Sequence, residues 1–123
     1  MKSYRDLLVW QKAMGFVALC YRASDKLPTG EEYGLKSQIR RAAVSIPTNI
    51  AEGHERGNPR ELARFLGYSK GSLAEVETLS LLALEFGFIA QDGVDDILER
   101  ASEIGKMVNG LVRSTGVKTA TAR

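Results

Sequence analysis

Polar side chains that could bind a ligand or transfer a proton recur along one stretch of the chain, from residue 38 to residue 52. They are spaced at offsets of three, seven, eleven and fourteen from the first, so they share one face of a helix with 3.6 residues per turn. This polar ladder consists of Gln38, Arg41, Ser45, Asn49 and Glu52. It is consistent with a hydrogen-bonded network between helices or with a ligand or catalytic site.

We favour the structural interpretation of the polar ladder, because buried polar groups need partners and such networks fix helix pairing. Pro47 lies within the same segment, where a proline removes one backbone donor, so we expect a kink or a rescued carbonyl at Ala43. Ser45 and Asn49 would bond backbone groups near that proline. Arg41 would pair with a carboxylate such as Glu75 or Glu77.

The remaining reactive groups give little support to catalysis. The one histidine, His54, lies in a predicted turn beside Glu52 and Glu55, and we expect it to be solvated. The one cysteine, Cys20, sits in an apolar helical row and is expected to pack as a small apolar residue. We therefore expect no enzymatic activity, no catalytic residue, no metal site and no cofactor.

Composition predicts one domain without disulfides or membrane spans. The chain has 123 residues, a mass of 13.5 kDa and a formal net charge of +2. No apolar run approaches the roughly 20 residues of a membrane-spanning helix, and residues 1–6 show no signal-peptide pattern. We expect a cytoplasmic protein with no membrane partner.

Three turn clusters, at residues 26–30, 53–59 and 87–93, divide the chain into four segments. Apolar residues recur within each segment at spacings of three and four, which predicts helices throughout. Four helices joined by short turns predict an all-α, up-down antiparallel four-helix bundle over residues 1–113. Residues 114–123 lack periodicity and are expected to be a disordered tail.

Several residues mark the expected helix ends. Asn58 followed by Pro59 is typical of a helix N-terminus, with asparagine as the capping residue. Asp92 is predicted to cap the last helix in the same way. Gly53 and Gly87 are predicted to end helices with a positive φ.

The first helix carries two apolar rows, which is more than one bundle face requires. The first row, which we expect to face the core, contains Leu7, Trp10, Met14, Val17 and Tyr21. The second row, which we expect to form an oligomer interface, contains Val9, Ala13, Phe16 and Cys20. A wide apolar arc of this kind often marks self-association.

Three segments resemble a known family. They are residues 33–53 (YGLKSQIRRAAVSIPTNIAEG), residues 9–13 (VWQKA) and residues 71–77 (GSLAEVE). Together they resemble the four-helix-bundle family encoded in intervening sequences of bacterial large-subunit rRNA genes, a group that also includes the accessory variability protein of diversity-generating retroelements. The resemblance implies a ring-shaped homopentamer without enzymatic activity. In the retroelement branch it also implies a basic surface for nucleic acid and a reverse transcriptase partner.

Charge is unevenly distributed along the chain. Residues 75–103 hold one basic and eight acidic groups, whereas residues 31–74 hold seven basic and five acidic groups. The candidates for binding RNA or DNA phosphates are Lys36, Arg40, Arg56, Arg60 and Arg64. We expect these cations to bracket the second turn and to have no aromatic residues beside them, which argues against base recognition.

These observations predict a non-enzymatic oligomeric adaptor that binds nucleic acid or a nucleic-acid enzyme through a basic surface. The alternative is a structural scaffold, in which basic and acidic faces meet between helices or subunits and no nucleic acid is bound.

Overall fold

The computed structural model describes residues 3–118, and the first two and last five residues lie outside it. Four long helices make up most of this range: α1 (Leu8–Ser24), α2 (Leu35–Glu55), α3 (Pro59–Glu85) and α4 (Gln91–Ser114). Short 3₁₀ turns at Tyr4–Asp6 and Thr29–Glu31 precede α1 and α2. No strand occurs within residues 3–118. The end of the predicted tail, residues 119–123, falls outside the described residues.

The helices pack in a closed cycle, α1 against α2, α2 against α3, α3 against α4 and α4 against α1. Short connections make chain neighbours antiparallel, so this arrangement is an up-down four-helix bundle. Its core is filled by branched aliphatic side chains, including Ile39, Ile46, Val76 and Ile104. Across residues 3–118, no helix combines the length and apolarity that a bilayer crossing requires.

Local sequence signals fix some helix ends and misplace others. Asn58 caps α3 as predicted, since its Oδ1 accepts a hydrogen bond from the Glu61 backbone N at 2.9 Å. Gly87 has the expected positive φ of 78°. The prediction for Gly53 was wrong, because α2 continues to Glu55 and Gly57 takes the positive φ.

The predicted cap of the last helix was also wrong. Helix α4 begins at Gln91, one residue before Asp92, and Ala90 occupies the capping position. The Asp92 carboxylate accepts a hydrogen bond from the backbone N of Gly93 at 2.9 Å, within the first turn. Asp92 therefore contributes negative charge at the helix N-terminus, where the helix dipole favours it, without capping the helix.

The roles predicted for the two apolar rows of α1 were wrong except at Leu7, which is buried in the core as expected. The residues assigned to an oligomer interface are all buried in the core of the single chain: Val9, Ala13, Phe16 and Cys20. Ala13 and Cys20 are small enough for α1 to approach its neighbours, and Phe16 fills the centre. By contrast, Trp10 is only half-buried and Met14 is 47% exposed.

Three residues of the first row, Trp10, Met14 and Val17, line an apolar groove between α1 and α2 with a volume of about 390 Å³. The groove is lined by Tyr4, Trp10, Met14, Val17, Val44, Pro47, Thr48 and Ala51. Tyr4 packs edge-on against Trp10, with ring centroids 5.3 Å apart. Exposed apolar surface on α1 therefore exists, but it comes from the other row.

Candidate nucleic-acid interface

The five predicted phosphate-binding cations do not form one surface. Lys36 and Arg40 lie in the first two turns of α2, whereas Arg56 follows its last residue. At about 1.5 Å per residue, the two ends of α2 are roughly 30 Å apart. The expectation that all five cations bracket the second turn was therefore wrong, and the structure divides them into two clusters.

The first group, the turn cluster, comprises Arg56, Arg60 and Arg64 at the α2–α3 turn. Arg56 lies 3.3 Å from Glu52 and 3.8 Å from Glu61, and Arg64 forms two hydrogen bonds with Glu61. The hydrogen bond from Arg64 holds the pKa of the Glu61 carboxyl below its usual value. Two of the three cations are therefore already neutralised by neighbouring carboxylates.

Aromatic rings do accompany the turn cluster, so the expectation that they would not was wrong. The Arg56 and Arg64 guanidinium carbons each lie 4.9 Å from the centroid of the Phe65 ring. Arg64 also donates a hydrogen bond to the Tyr68 hydroxyl at 2.9 Å. Since the arginines occupy the Phe65 ring themselves, these cation–π contacts stabilise the turn and leave little of that ring for a base.

The second group lies in a cleft between the C-terminal end of α1 and the start of α2. The cleft has a volume of about 440 Å³. It is lined by Tyr21, Glu32, Tyr33, Lys36, Ser37, Arg40, Arg41 and Val44. Three cations and one carboxylate are among these residues, and we therefore call the site the cationic cleft.

Arg40 forms the fixed wall of the cationic cleft. Its Nη2 lies 2.6 Å from the Asp25 carboxylate, and its Nε donates a hydrogen bond to the Ser24 hydroxyl at 2.8 Å. Nη2 also donates to the Tyr21 carbonyl at 3.1 Å, and the guanidinium lies 4.4 Å from the centroid of the Tyr21 ring. These contacts tie α1 to α2, so Arg40 has a structural role whatever else it binds.

The other two cations of the cleft differ in their pairing. Lys36 lies 3.2 Å from Glu32 and 3.8 Å from Asp25. Arg41 is exposed and forms no ion pair with any residue in the range 3–118. The predicted pairing of Arg41 with a carboxylate of α3 was wrong, because its side chain lines the cleft beside α1.

The polar ladder does not form one buried network. Gln38, Arg41 and Glu52 are exposed, and only Ser45 and Asn49 are half-buried. Ser45 donates a hydrogen bond to the Ala42 carbonyl and contacts the Ser72 hydroxyl of α3. Asn49 donates to the Ser45 carbonyl at 2.8 Å, within its own helix. Ser45 alone links the ladder to another helix by a hydrogen bond in the described structure.

Pro47 is buried within a helix that continues on both sides of it. Ser69 of α3, itself fully buried, donates a hydrogen bond to the Ile46 carbonyl at 2.9 Å. No side-chain hydrogen bond found within residues 3–118 reaches the Ala43 carbonyl, the group that lacks its usual helical donor. The predicted rescue of the Ala43 carbonyl is therefore not found among these bonds. The Ser69 bond instead links α3 to α2 at the residue before Pro47.

The one cysteine and the one histidine of the chain differ in their surroundings. Cys20 is fully buried, and burial raises the pKa of its thiol to about 12, so it packs as an inert apolar residue as predicted. His54 is half-buried instead of solvated. Its Nδ1 lies 3.6 Å from the Glu55 carboxylate, and within the described residues this atom has no hydrogen-bond partner.

Of the residues that line the cationic cleft, sequence reasoning selected only Lys36 and Arg40 as phosphate-binding candidates. Two of the residues that it missed, Tyr33 and Arg41, had a signal in the sequence. Arg41 follows Arg40 in the sequence, but the polar ladder predicted that Arg41 pairs with a carboxylate of α3. Tyr33 entered the sequence analysis only as the first residue of the segment 33–53, which carries the family resemblance. The available signal was their closeness in sequence to Lys36 and Arg40, with Tyr33 in the turn before α2 and Arg41 in its second turn.

The structure is an all-α, up-down four-helix bundle with a cationic cleft at one end. A model of the 23S rRNA-intervening sequence protein family matches residues 5–110, and the chain belongs to that family. The fold is similar to the crystal structure of a protein of unknown function from the S23 ribosomal protein family of Bacteroides thetaiotaomicron. The two chains are 20% identical with a TM-score of 0.79, over 86% of this chain and 99% of the other. No curated protein matches the chain.

Proposed function

We propose that this protein is a non-enzymatic oligomeric adaptor that binds nucleic acid through the cationic cleft. One observation carries the proposal: Lys36, Arg40 and Arg41 line a single concavity, and Arg41 has no ion pair within the described residues. Two carboxylates lie near the other two cations, Glu32 in the lining and Asp25 beside it. Phosphate groups are the ligands that such a cluster of guanidinium and ammonium groups favours.

Ion pairing does not separate the two clusters, because each has two cations beside carboxylates and one without such a partner within the described residues, Arg41 in the cleft and Arg60 in the turn cluster. The turn cluster is the weaker candidate because none of its arginines lines the concavity at the α2–α3 turn.

Binding of this kind is expected to be electrostatic and independent of sequence. Displacement of counterions from the phosphate backbone makes the affinity fall steeply as salt rises. A single cleft with three cations would bind weakly. Several copies in one assembly would bind the same strand with higher avidity, because later contacts become intramolecular.

Self-association is the second part of the proposal, and two separate apolar surfaces support it. The apolar groove lies between α1 and α2. The second surface comprises Leu81 and Leu82, exposed on α3, and Phe86, exposed directly after its last residue. Two different surfaces that meet head to tail generate a ring when the rotation closes. Five copies is the number that the family resemblance implies.

A reverse transcriptase is the protein partner that the resemblance to the accessory variability protein implies. We propose this partner on that resemblance alone. The acidic segment at residues 75–103 offers a separate surface for a protein, since its negative charge would repel nucleic acid.

The alternative function, a scaffold without a nucleic-acid role, also has an observation in its favour. Arg56 and Arg64 are neutralised by Glu52 and Glu61, and Arg40 by Asp25. Charges that are paired within the chain stabilise local geometry and need no external ligand. The two functions differ in what happens to nucleic-acid binding when cations of one cluster are replaced by carboxylates.

The test compares two charge-matched double variants, Lys36→Glu with Arg41→Glu in the cleft and Arg56→Glu with Arg60→Glu in the turn cluster. Arg40 is left unchanged because it holds α1 to α2. Fluorescence anisotropy with labelled RNA and DNA, at about 50 mM and about 200 mM salt, measures affinity and its salt dependence. We expect the cleft variant to lose binding and the turn variant to keep most of it. Absence of binding by the wild type at low salt would favour the scaffold.

A further inference from the structure

We propose that the cationic cleft accepts an unpaired nucleotide, with the Tyr33 ring stacking on the base and Arg41 and Lys36 contacting the adjacent phosphates. This inference rests on the proposed nucleic-acid function and specifies its ligand as single-stranded RNA or DNA. It combines two features of one concavity, a free aromatic ring and a free guanidinium.

Tyr33 is the most exposed large apolar side chain found in the structure, at 95% exposure. It lies in the turn between the Thr29–Glu31 3₁₀ turn and α2, where it lines the cleft. Within residues 3–118, its ring takes part in no aromatic pair and no cation–π contact. Both faces of the ring are therefore available to a planar ligand.

The turn that carries Tyr33 is held in place on both sides. The Glu31 carboxylate accepts a hydrogen bond from the Leu35 backbone N at 3.1 Å, and the Gly34 N donates to the Glu31 carbonyl at 3.1 Å. A Cβ at Gly34 would lie 2.7 Å from Glu31 Oε1, so the Glu31 carboxylate would have to shift from its position beside the Leu35 N. A ring presented from such a fixed turn loses little backbone freedom when it stacks on a ligand.

The second tyrosine of the cleft has a different role. Arg40 lies over the Tyr21 ring and is itself held by Asp25, so this pair forms a rigid wall. Arg41 adjoins that wall with no internal partner in the described chain, and its guanidinium is free to pair with a phosphate. The cleft thus places a base-stacking ring and an unpaired cation around one volume of about 440 Å³, a size typical of small-ligand sites at roughly 300–1,000 Å³.

This combination selects unpaired nucleotides. A base in a duplex has both faces covered by its neighbours, so it cannot stack on Tyr33, whereas a base in a single strand can. A duplex would contact only the cations. We therefore expect the cleft to prefer single strands, with little dependence on base identity because every base has an aromatic face.

The test uses Tyr33→Ala, with Tyr33→Phe to retain the ring and Tyr68→Ala as an exposed tyrosine outside the cleft. The probes are a labelled RNA strand and a labelled DNA strand of about 10 nucleotides, and the duplex of the same sequence. Anisotropy at about 50 mM salt gives each affinity, and circular dichroism confirms that each variant is folded.

The wild type should bind at least one of the single strands about tenfold more tightly than the duplex, since stacking adds to the phosphate contacts. Tyr33→Ala should weaken single-strand binding by about 5- to 100-fold, while Tyr33→Phe and Tyr68→Ala stay within about twofold of the wild type. Duplex binding should be unchanged in all three variants. Equal affinity for strands and duplex, unaffected by Tyr33→Ala, would overturn this inference and leave the proposed function standing. No binding to any probe would overturn both.

Discussion

Gly53 of α2 lies directly against Phe65 of α3. A Cβ built on Gly53 would be 2.7 Å from the Phe65 Cβ and 3.4 Å from the Leu62 Cδ1. This close approach explains why a glycine occupies a buried position near the end of α2, where the sequence pattern had indicated a helix terminus. The contact sets the spacing of the two helices next to the turn cluster.

The first prediction follows from that contact. Gly53→Ala should destabilise the protein by about 1–3 kcal/mol, because the added methyl group has no space between α2 and α3. Gly67→Ala is the control: Gly67 lies in the exposed part of α3 with nothing within 4 Å of the added carbon. That variant should be stabilised by about 0.5–1 kcal/mol through the loss of backbone entropy in the unfolded chain. Urea unfolding of both variants measures the difference, and equal destabilisation would contradict the close-contact account.

The second prediction concerns the hydrogen bond from Ser69 to the Ile46 carbonyl. Ser69→Ala should reduce the free energy of unfolding by about 1 kcal/mol, because the bond is fully buried and links α3 to α2 beside Pro47. Ser114→Ala removes a hydroxyl that bonds the Leu111 carbonyl at an exposed site and should change stability by less than about 0.5 kcal/mol. Thermal unfolding with matched buffers compares the two. A Ser69 variant as stable as the wild type would show that the buried bond contributes nothing.

The third prediction concerns Cys20. Its thiol should not react with a thiol reagent at pH 8 in the folded protein and should react promptly in denaturant, because burial excludes the reagent and keeps the thiol protonated. The pKa of the folded thiol is raised from 9.0 to about 12. Between these values the folded chain retains a proton that the unfolded chain loses, so the contribution of Cys20 to stability falls as pH rises through that range. Rapid modification of the folded protein would contradict its placement in the core.

The fourth prediction separates the two rows of α1. Phe16→Ala should cost about 3–5 kcal/mol of stability, because it empties a fully buried site. Met14→Glu should leave the folded chain stable yet disrupt self-association, since Met14 is exposed in the apolar groove. Ala18→Glu, at an exposed position of the same helix, serves as the matched control for the added charge. Light scattering gives the mass of each variant, and an unchanged mass for Met14→Glu would remove the groove from the proposed interface.

Local features of the fold could be predicted from sequence, and features that depend on how helices meet could not. The cap at Asn58 and the end at Gly87 involve only neighbouring residues, and both were predicted correctly. The face of α1 was predicted wrongly because both rows are apolar. The choice between them depends on side-chain volume, which a periodicity does not record.

The candidate site could be predicted only in part, because it also depends on how the helices meet. The residues Lys36 and Arg40 were identified as cations but were grouped with arginines from the other end of α2. Only the packing of α1 against α2 brings Tyr21 into the cleft and directs Arg41 away from α3. A helical ladder specifies which residues share a face, but it does not specify which neighbour that face meets.

Photocrosslinking is the measurement that tests the central claim most directly. A short single strand containing 4-thiouridine, irradiated with the wild-type protein and digested with trypsin, identifies the peptide in contact with the nucleic acid. The account predicts attachment to residues 27–36, the tryptic peptide that contains Tyr33 and ends at Lys36. Attachment instead to residues 65–70, the peptide that contains Phe65 and Tyr68 of the α2–α3 end, would contradict the assignment of binding to the cationic cleft.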